Sequence, residues 1–128
     1  MDDDRLDQLI SGHLGLLLRR GFTETGASEN AGYGYAERIY AFDHVALKAS
    51  YERGLSGFEL GCADHADEWI GGSSIRDLLD PPNLGHWNLG MGAAAFVHEH
   101  WDQVYEMLKP SNWPTTLRRV DEFARRHA

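Results

Sequence analysis

The sequence predicts an α+β fold, a three-stranded antiparallel meander with an N-terminal helix and C-terminal helices packed on one face. Three observations predict it. Residues 33–62 hold the only sustained apolar alternation at period two, the segments on either side repeat apolar residues at helical spacing, and short turn sequences divide the alternating stretch. A meander is the simplest topology for strands joined so tightly.

From Asp4 to Arg20, Leu6, Leu9, Ile10, His13, Leu14 and Leu17 fall on one helical face. Aspartates open this helix, Arg19 and Arg20 close it in accord with the helix dipole, and Gly21 is placed to end it in a left-handed conformation. Residues 23–32 are rich in Gly, Ser, Thr and Asn without periodicity, and predict an irregular, mobile lead-in. Tyr33, Tyr35, Ile39 and Tyr40 give the first strand its aromatic and β-branched character. In the second, Val45, Leu47, Ala49 and Tyr51 form a buried face, while His44, Ala46, Lys48 and Ser50 point the other way. Glu52-Arg53-Gly54 is the next turn, with Gly54 expected to supply a positive φ, and Phe58, Leu60 and Cys62 resume the alternation.

The polar loop 63–68 follows and is closed by Trp69. Ser73 or Ser74 then caps a short helix that buries Ile75, Leu78 and Leu79 and stops at Pro81-Pro82. Residues 83–92 are a Gly-rich loop whose Leu84, Trp87 and Leu89 are expected to seal one end of the core. One long helix is expected from Gly92 to Lys109, facing inward through Val97, Trp101, Val104 and Leu108 and ended by Pro110. The last helix starts at Trp113-Pro114, carries a stripe of Leu117, Val120, Phe123 and Ala124, and keeps Arg118, Arg119, Arg125 and Arg126 on its outer sides. No repeat or linker divides the chain, so residues 1–128 are expected to form one domain with one core.

Charge narrows the function. The net charge is −8, but residues 21–107 hold fourteen acidic side chains against four basic ones, while residues 108–128 hold two against five. An acidic middle section repels phosphate backbones and favours basic partners, which argues against nucleic-acid binding. The plainer reading is an acidic surface that keeps the protein soluble. The lone cysteine, Cys62, cannot form an internal disulfide, and no apolar run approaches the roughly 20 residues that span a bilayer. The Asp-rich start lacks the basic character of a secretory signal, so a reducing, cytoplasmic setting is the expectation.

Several constellations invite a chemical reading. His65 stands among Asp64, Asp67 and Glu68, and His98-Glu99-His100 lies further on, but residues two apart on a helix diverge by about 200° and cannot share one ion. Gly90-Met91-Gly92-Ala93-Ala94-Ala95 has the spacing of a dinucleotide fingerprint without the strands that such a site requires. Gly71-Gly72-Ser73-Ser74 is a second small-residue helix start. Cys62 with His65 as base lacks a third orienting group, and a small residue at an inward strand position more often serves packing. The acidic loop carries more meaning as a binding surface. Asp64, Asp67 and Glu68 surround the aromatic Trp69, and Glu52 and Glu59 lie at or after the hairpin turn, giving charges around an anchor of the kind that makes interfaces fast and selective.

The leading amphipathic helix, the strand ending in Glu52-Arg53-Gly54, the following Phe58-Glu59-Leu60, a Trp before a short helix and the closing Asn112-Trp113-Pro114-Thr115-Thr116-Leu117 together resemble the small bacterial immunity proteins encoded beside polymorphic toxins. The likeness is one of architecture, and the loop 85–92 has no counterpart in it. It implies a non-enzymatic, cofactor-free inhibitor that occludes one basic toxin or nuclease domain, and no catalytic residues carry over. The competing expectation is a small metal- or ligand-binding enzyme built on His65, His98 and the acidic loop 64–68.

Overall fold

The computed structural model describes residues 2–12, 14–30, 34–53, 55–65, 67–79 and 92–126. Its elements are α1 (Asp2–Gly12), α2 (Gly15–Leu18), β1 (Thr23–Asn30), β2 (Tyr35–Phe42), β3 (Val45–Glu52), β4 (Leu55–Cys62), β5 (Ile70–Gly71), α3 (Gly72–Leu79), α4 (Gly92–Glu99), α5 (Trp101–Met107) and α6 (Trp113–Arg126). The class is the α+β one expected, with an antiparallel sheet, but the sheet has five strands rather than three, in the order β1-β2-β3-β4-β5.

Both additional strands lie where alternation gives no signal. β1 occupies residues expected to be an irregular lead-in, and pairs with β2 from Thr23↔Ala41 to Asn30↔Tyr35, with one irregularity between Glu24 and Gly26. Its sequence, TETGASEN, has no large apolar residue because a polar edge strand needs backbone pairing on one side only and buries neither face. β5 is two residues long and pairs Glu59↔Gly71 and Leu60↔Ile70, too short for any period to register.

The central strands behave as their sequence demands. Leu47 pairs with Tyr40 on one side and Leu60 on the other, so Tyr40, Leu47 and Leu60 share a face, as do Phe42, Val45 and Cys62. Val45, Leu47, Ala49, Leu60 and Cys62 are buried there beneath Leu6, Leu9, Leu14 and Leu17 of the N-terminal helices and Val97, Val104 and Leu108 of the later ones. Each such aliphatic side chain taken from water contributes about 1.5 to 3 kcal/mol. α1 is also tied down electrically, because Arg38 projects from the same face and forms an ion pair with Asp7.

Turns and helices depart from expectation in detail. Among the described residues, Arg53 in the β3–β4 turn has a positive φ of 49°, and Asp43 in the β2–β3 turn one of 55°. The expected helix over 4–20 is two helices. Leu14 N–H reaches back to Leu9 O at 3.1 Å, one residue wider than an α-turn, and this widened turn lets Leu14 and Leu17 both point inward. Gly21 follows with φ 130°. The expected helix over 92–109 is likewise two, α4 and α5, divided at His100 (φ −107°, ψ 31°). Hydrogen bonds nevertheless run through the division, from His100 N–H to Phe96 O and from Val104 N–H to His100 O, so it is a bend in one helical run. α6 begins at Trp113 as expected, but its Ala124 is exposed and the inward positions are Trp113 and Thr116, with Leu117 and Val120 half-buried. Expectations for Tyr33, His13, Gly54, Pro81-Pro82, Leu84, Trp87, Leu89 and Gly90-Met91, and for most of the 85–92 loop, lie outside the described residues.

Candidate functional site

Among the described residues the helices pack on one face of the sheet and none covers the other, the open face. Period-two geometry puts Tyr35, Glu37, Ile39 and Ala41 of β2, Ala46, Lys48, Ser50 and Glu52 of β3, and Leu55, Gly57, Glu59 and Gly61 of β4 on that open face. Tyr35 stands directly across from Glu52, and Lys48 stands between Ile39 and Glu59. Lys48 is the only basic residue among these outward positions.

Tyr35 stands in a negative field, beside Glu37, which accepts a hydrogen bond from Ser28 Oγ at 2.8 Å that ties β1 to β2. Burial, polar interaction with Glu37 and the negative charges of Glu37, Glu52 and Glu59 push the phenol up to about 12. Each of these causes disfavours the phenolate, so the group remains a neutral donor in a negative field. Glu59 is partly compensated by Lys48 at 3.4 Å. Glu52 is exposed and has no cationic partner among the described residues.

The acidic loop joins the same face at Gly61. A Cβ there would stand 2.8 Å from Glu68 O and 3.4 Å from the Trp69 ring, so the strand must present glycine for the loop to cross it. Trp69 therefore lies over the outer side of β4, half-buried, with Lys48 Nζ 4.8 Å from its ring centroid. That places a cation–π contact beside the Lys48–Glu59 ion pair. Among the described residues the loop's backbone hydrogen bonds run from Ala63 N–H to His44 O (2.7 Å), from His65 N–H to Cys62 O (2.9 Å) and from Glu68 N–H to His65 O (3.2 Å). Asp64, Asp67 and Glu68 are exposed, and none has a salt bridge among the described residues.

The structure thus places Glu52, Glu59 and Trp69 on one face, with Asp64, Asp67 and Glu68 at its margin. Sequence reading passed over Tyr35, Glu37 and Lys48 as binding residues. Lys48 occupies the polar phase of a strand whose apolar phase is legible, whereas Tyr35 and Glu37 lie on a strand read only for its aromatic and β-branched character, with no phase assigned.

The competing chemical constellations sit elsewhere. His98 lines a small cleft with Arg20, Glu99, Trp101 and Asp102. Its Nδ1 accepts from Arg20 Nε at 3.1 Å while Arg20 Nη2 donates to His98 O at 2.9 Å, so the imidazole is engaged in joining α2 to α4. His100 Nδ1 donates to Phe96 O at 3.1 Å and its ring stacks on Phe96. His65 is exposed in the acidic loop. Among the described residues no group of three or more His, Cys, Asp or Glu is gathered to hold a metal ion. Cys62 is 1% exposed on the helix-covered face, closed to any substrate. Gly72, in the small-residue start of α3, faces the Phe58 ring, 2.3 Å from where a Cβ would stand, so its smallness serves packing. No described helix is long and apolar enough to cross a membrane.

Compared with protein-family models, curated proteins and solved structures, the chain matches none.

Proposed function

We propose that this protein is a non-enzymatic, cytoplasmic binding domain of the immunity type, which neutralises a basic toxin or nuclease domain by covering it. The observation that carries the reading is the shared placement of Tyr35, Glu37, Glu52 and Glu59 on the sheet face opposite the helices, continuous with Asp64, Asp67 and Glu68 around Trp69. A cationic protein surface suits such a face for three reasons. The carboxylates attract it over a distance, Trp69 and Tyr35 supply aromatic contact area with few rotamers to freeze, and the small residues Ala41, Ser50 and Gly57 keep the surface flat enough for close approach. The same charges repel nucleic acid.

The test is kinetic. Long-range attraction is screened over a Debye length of about 8 Å at physiological salt, so association with the product of an adjacent toxin gene should slow as salt is added. Replacing Asp64, Asp67 and Glu68 by their amides should lower the association rate and flatten its salt dependence, with little change in dissociation. An association rate unchanged by salt in both proteins would overturn the reading.

A further inference from the structure

β1 ends the sheet, and the only element with which it is in extensive contact is β2. Every second backbone N–H and C=O along its outer side is therefore without a strand partner among the described residues. Thr23, Glu24, Thr25, Ala27 and Ser28 are exposed. At eight residues, an extended strand of this kind offers an edge about 27 Å long. Exposed edges are ordinarily blunted by lysine, proline, shortness or a bulge. This one has neither lysine nor proline and is long, and its single irregularity lies near one end, between Glu24 and Gly26.

We infer that the free edge of β1 accepts an extended, lysine- or arginine-bearing segment of the partner as a sixth strand. The inference rests on the reading above for the sign of the partner's charge, and adds where and in what conformation the partner is held. Main-chain hydrogen bonds would supply affinity without demanding a particular side-chain sequence, the mode known as strand addition. The charge on the strand selects the occupant. β1 carries Glu24 and Glu29 with no cation, and Glu37 lies on the neighbouring strand across from Ser28. A second copy is the wrong guest. It would set one strand with acidic residues and no cation against another, and like charges brought across from one another are destabilising. A basic segment reverses that sign.

The experiment uses isotope-labelled whole protein titrated with an octapeptide of alternating lysine and valine, and with the same peptide N-methylated at every residue, which keeps the charges and loses every backbone donor. Amide shift changes and slowed hydrogen exchange should be confined to residues 23–30 and their β2 neighbours. Binding should weaken about tenfold or more with the methylated peptide, as expected for losing several backbone hydrogen bonds. Ala27→Lys, at an exposed position, should weaken the unmethylated peptide without altering the fold. Equal binding of the two peptides, changes centred on residues 64–69, or no change at millimolar peptide would each overturn the inference. Changes centred on 64–69 would do so while leaving the acidic-face reading standing. Edge binding by a protein whose association with its toxin ignores salt would sink that reading and leave the edge.

Discussion

The two faces of the β2–β3–β4 sheet are made by the same strands, yet they obey different rules. On the covered face, Val45, Leu47, Ala49 and Leu60 are each wholly buried, and nearly every neighbour is apolar. On the open face, Tyr35, Glu37, Lys48 and Glu59 alternate with small residues and remain half-exposed. The first face is fixed by the free energy of removing apolar surface from water, which tolerates few substitutions. The second is fixed by charge and by the need for close approach at Gly61, where single interactions contribute far less. The difference teaches that stability and recognition occupy opposite phases of one period-two pattern, so they can be perturbed separately.

The largest effect should come from the covered side. Trp101 lies against Phe22, Phe42 and Tyr105 with ring centroids 5.8, 6.0 and 6.1 Å away, and Arg20 stands 5.3 Å over its ring. Trp101→Ala should cost about 3 to 5 kcal/mol, read as a lowered denaturant midpoint. A midpoint equal to that of the parent would break the comparison by placing the aromatic cluster outside the cooperative core.

Next is the seam between the acidic loop and the sheet. Gly61→Ala puts a methyl 2.8 Å from Glu68 O, a backbone atom that cannot swing away as a side chain does. The strand or loop must shift, at a cost of about 1 to 3 kcal/mol. Trp69 emission should change with it, since the ring is also in contact with that methyl position. An unaltered midpoint and spectrum would mean that the loop is free of the sheet and that the open face ends at Glu59.

Legibility followed the same division. Val45, Leu47, Ala49, Leu60 and Cys62 were readable because burial on one side only imposes alternation, and Leu6, Leu9, Val97 and Trp101 because a covered helix imposes its own period. β1 was not readable, since a polar edge strand is specified by its partner's backbone rather than by its own side chains. The bend at His100 left no mark because the hydrophobic spacing of Val97, Trp101 and Val104 continues through it. At the candidate site the acidic loop stood out by composition. Its neighbours Tyr35, Glu37 and Lys48 did not, because their meaning depends on register, which sets Tyr35 across from Glu52 and Lys48 across from Glu59.

Alkaline pH probes the open face through Tyr35. In the folded protein the Tyr35 phenol is raised from 10.0 to about 12, chiefly by burial and then by Glu37. A raised folded pKa favours the protonated form, so its stabilisation is complete below pH 10 and is lost as pH climbs toward 12. Between those values the parent should lose stability more steeply than Tyr35→Phe, and the last phenolate absorbance step should be missing from the variant. Identical alkaline profiles would show that the three glutamates do not act together at this point.

The smallest effect on stability sharpens the comparison most, because stability and recognition should move in opposite directions. Lys48→Gln removes the Lys48–Glu59 ion pair, whose side chains are 20% and 37% exposed, and the cation over Trp69. Pairs this accessible are weak, and the cation–π contact adds about 0.5 to 1 kcal/mol, so the denaturant midpoint should fall only slightly. The same substitution deletes the one positive charge among the outward positions of β2, β3 and β4 and frees Glu59. Association with a cationic partner should then become faster, and its dependence on salt steeper, although the protein is less stable. A slower association would mean that Lys48 itself touches the partner, and that the face recognises a mixed rather than a basic surface.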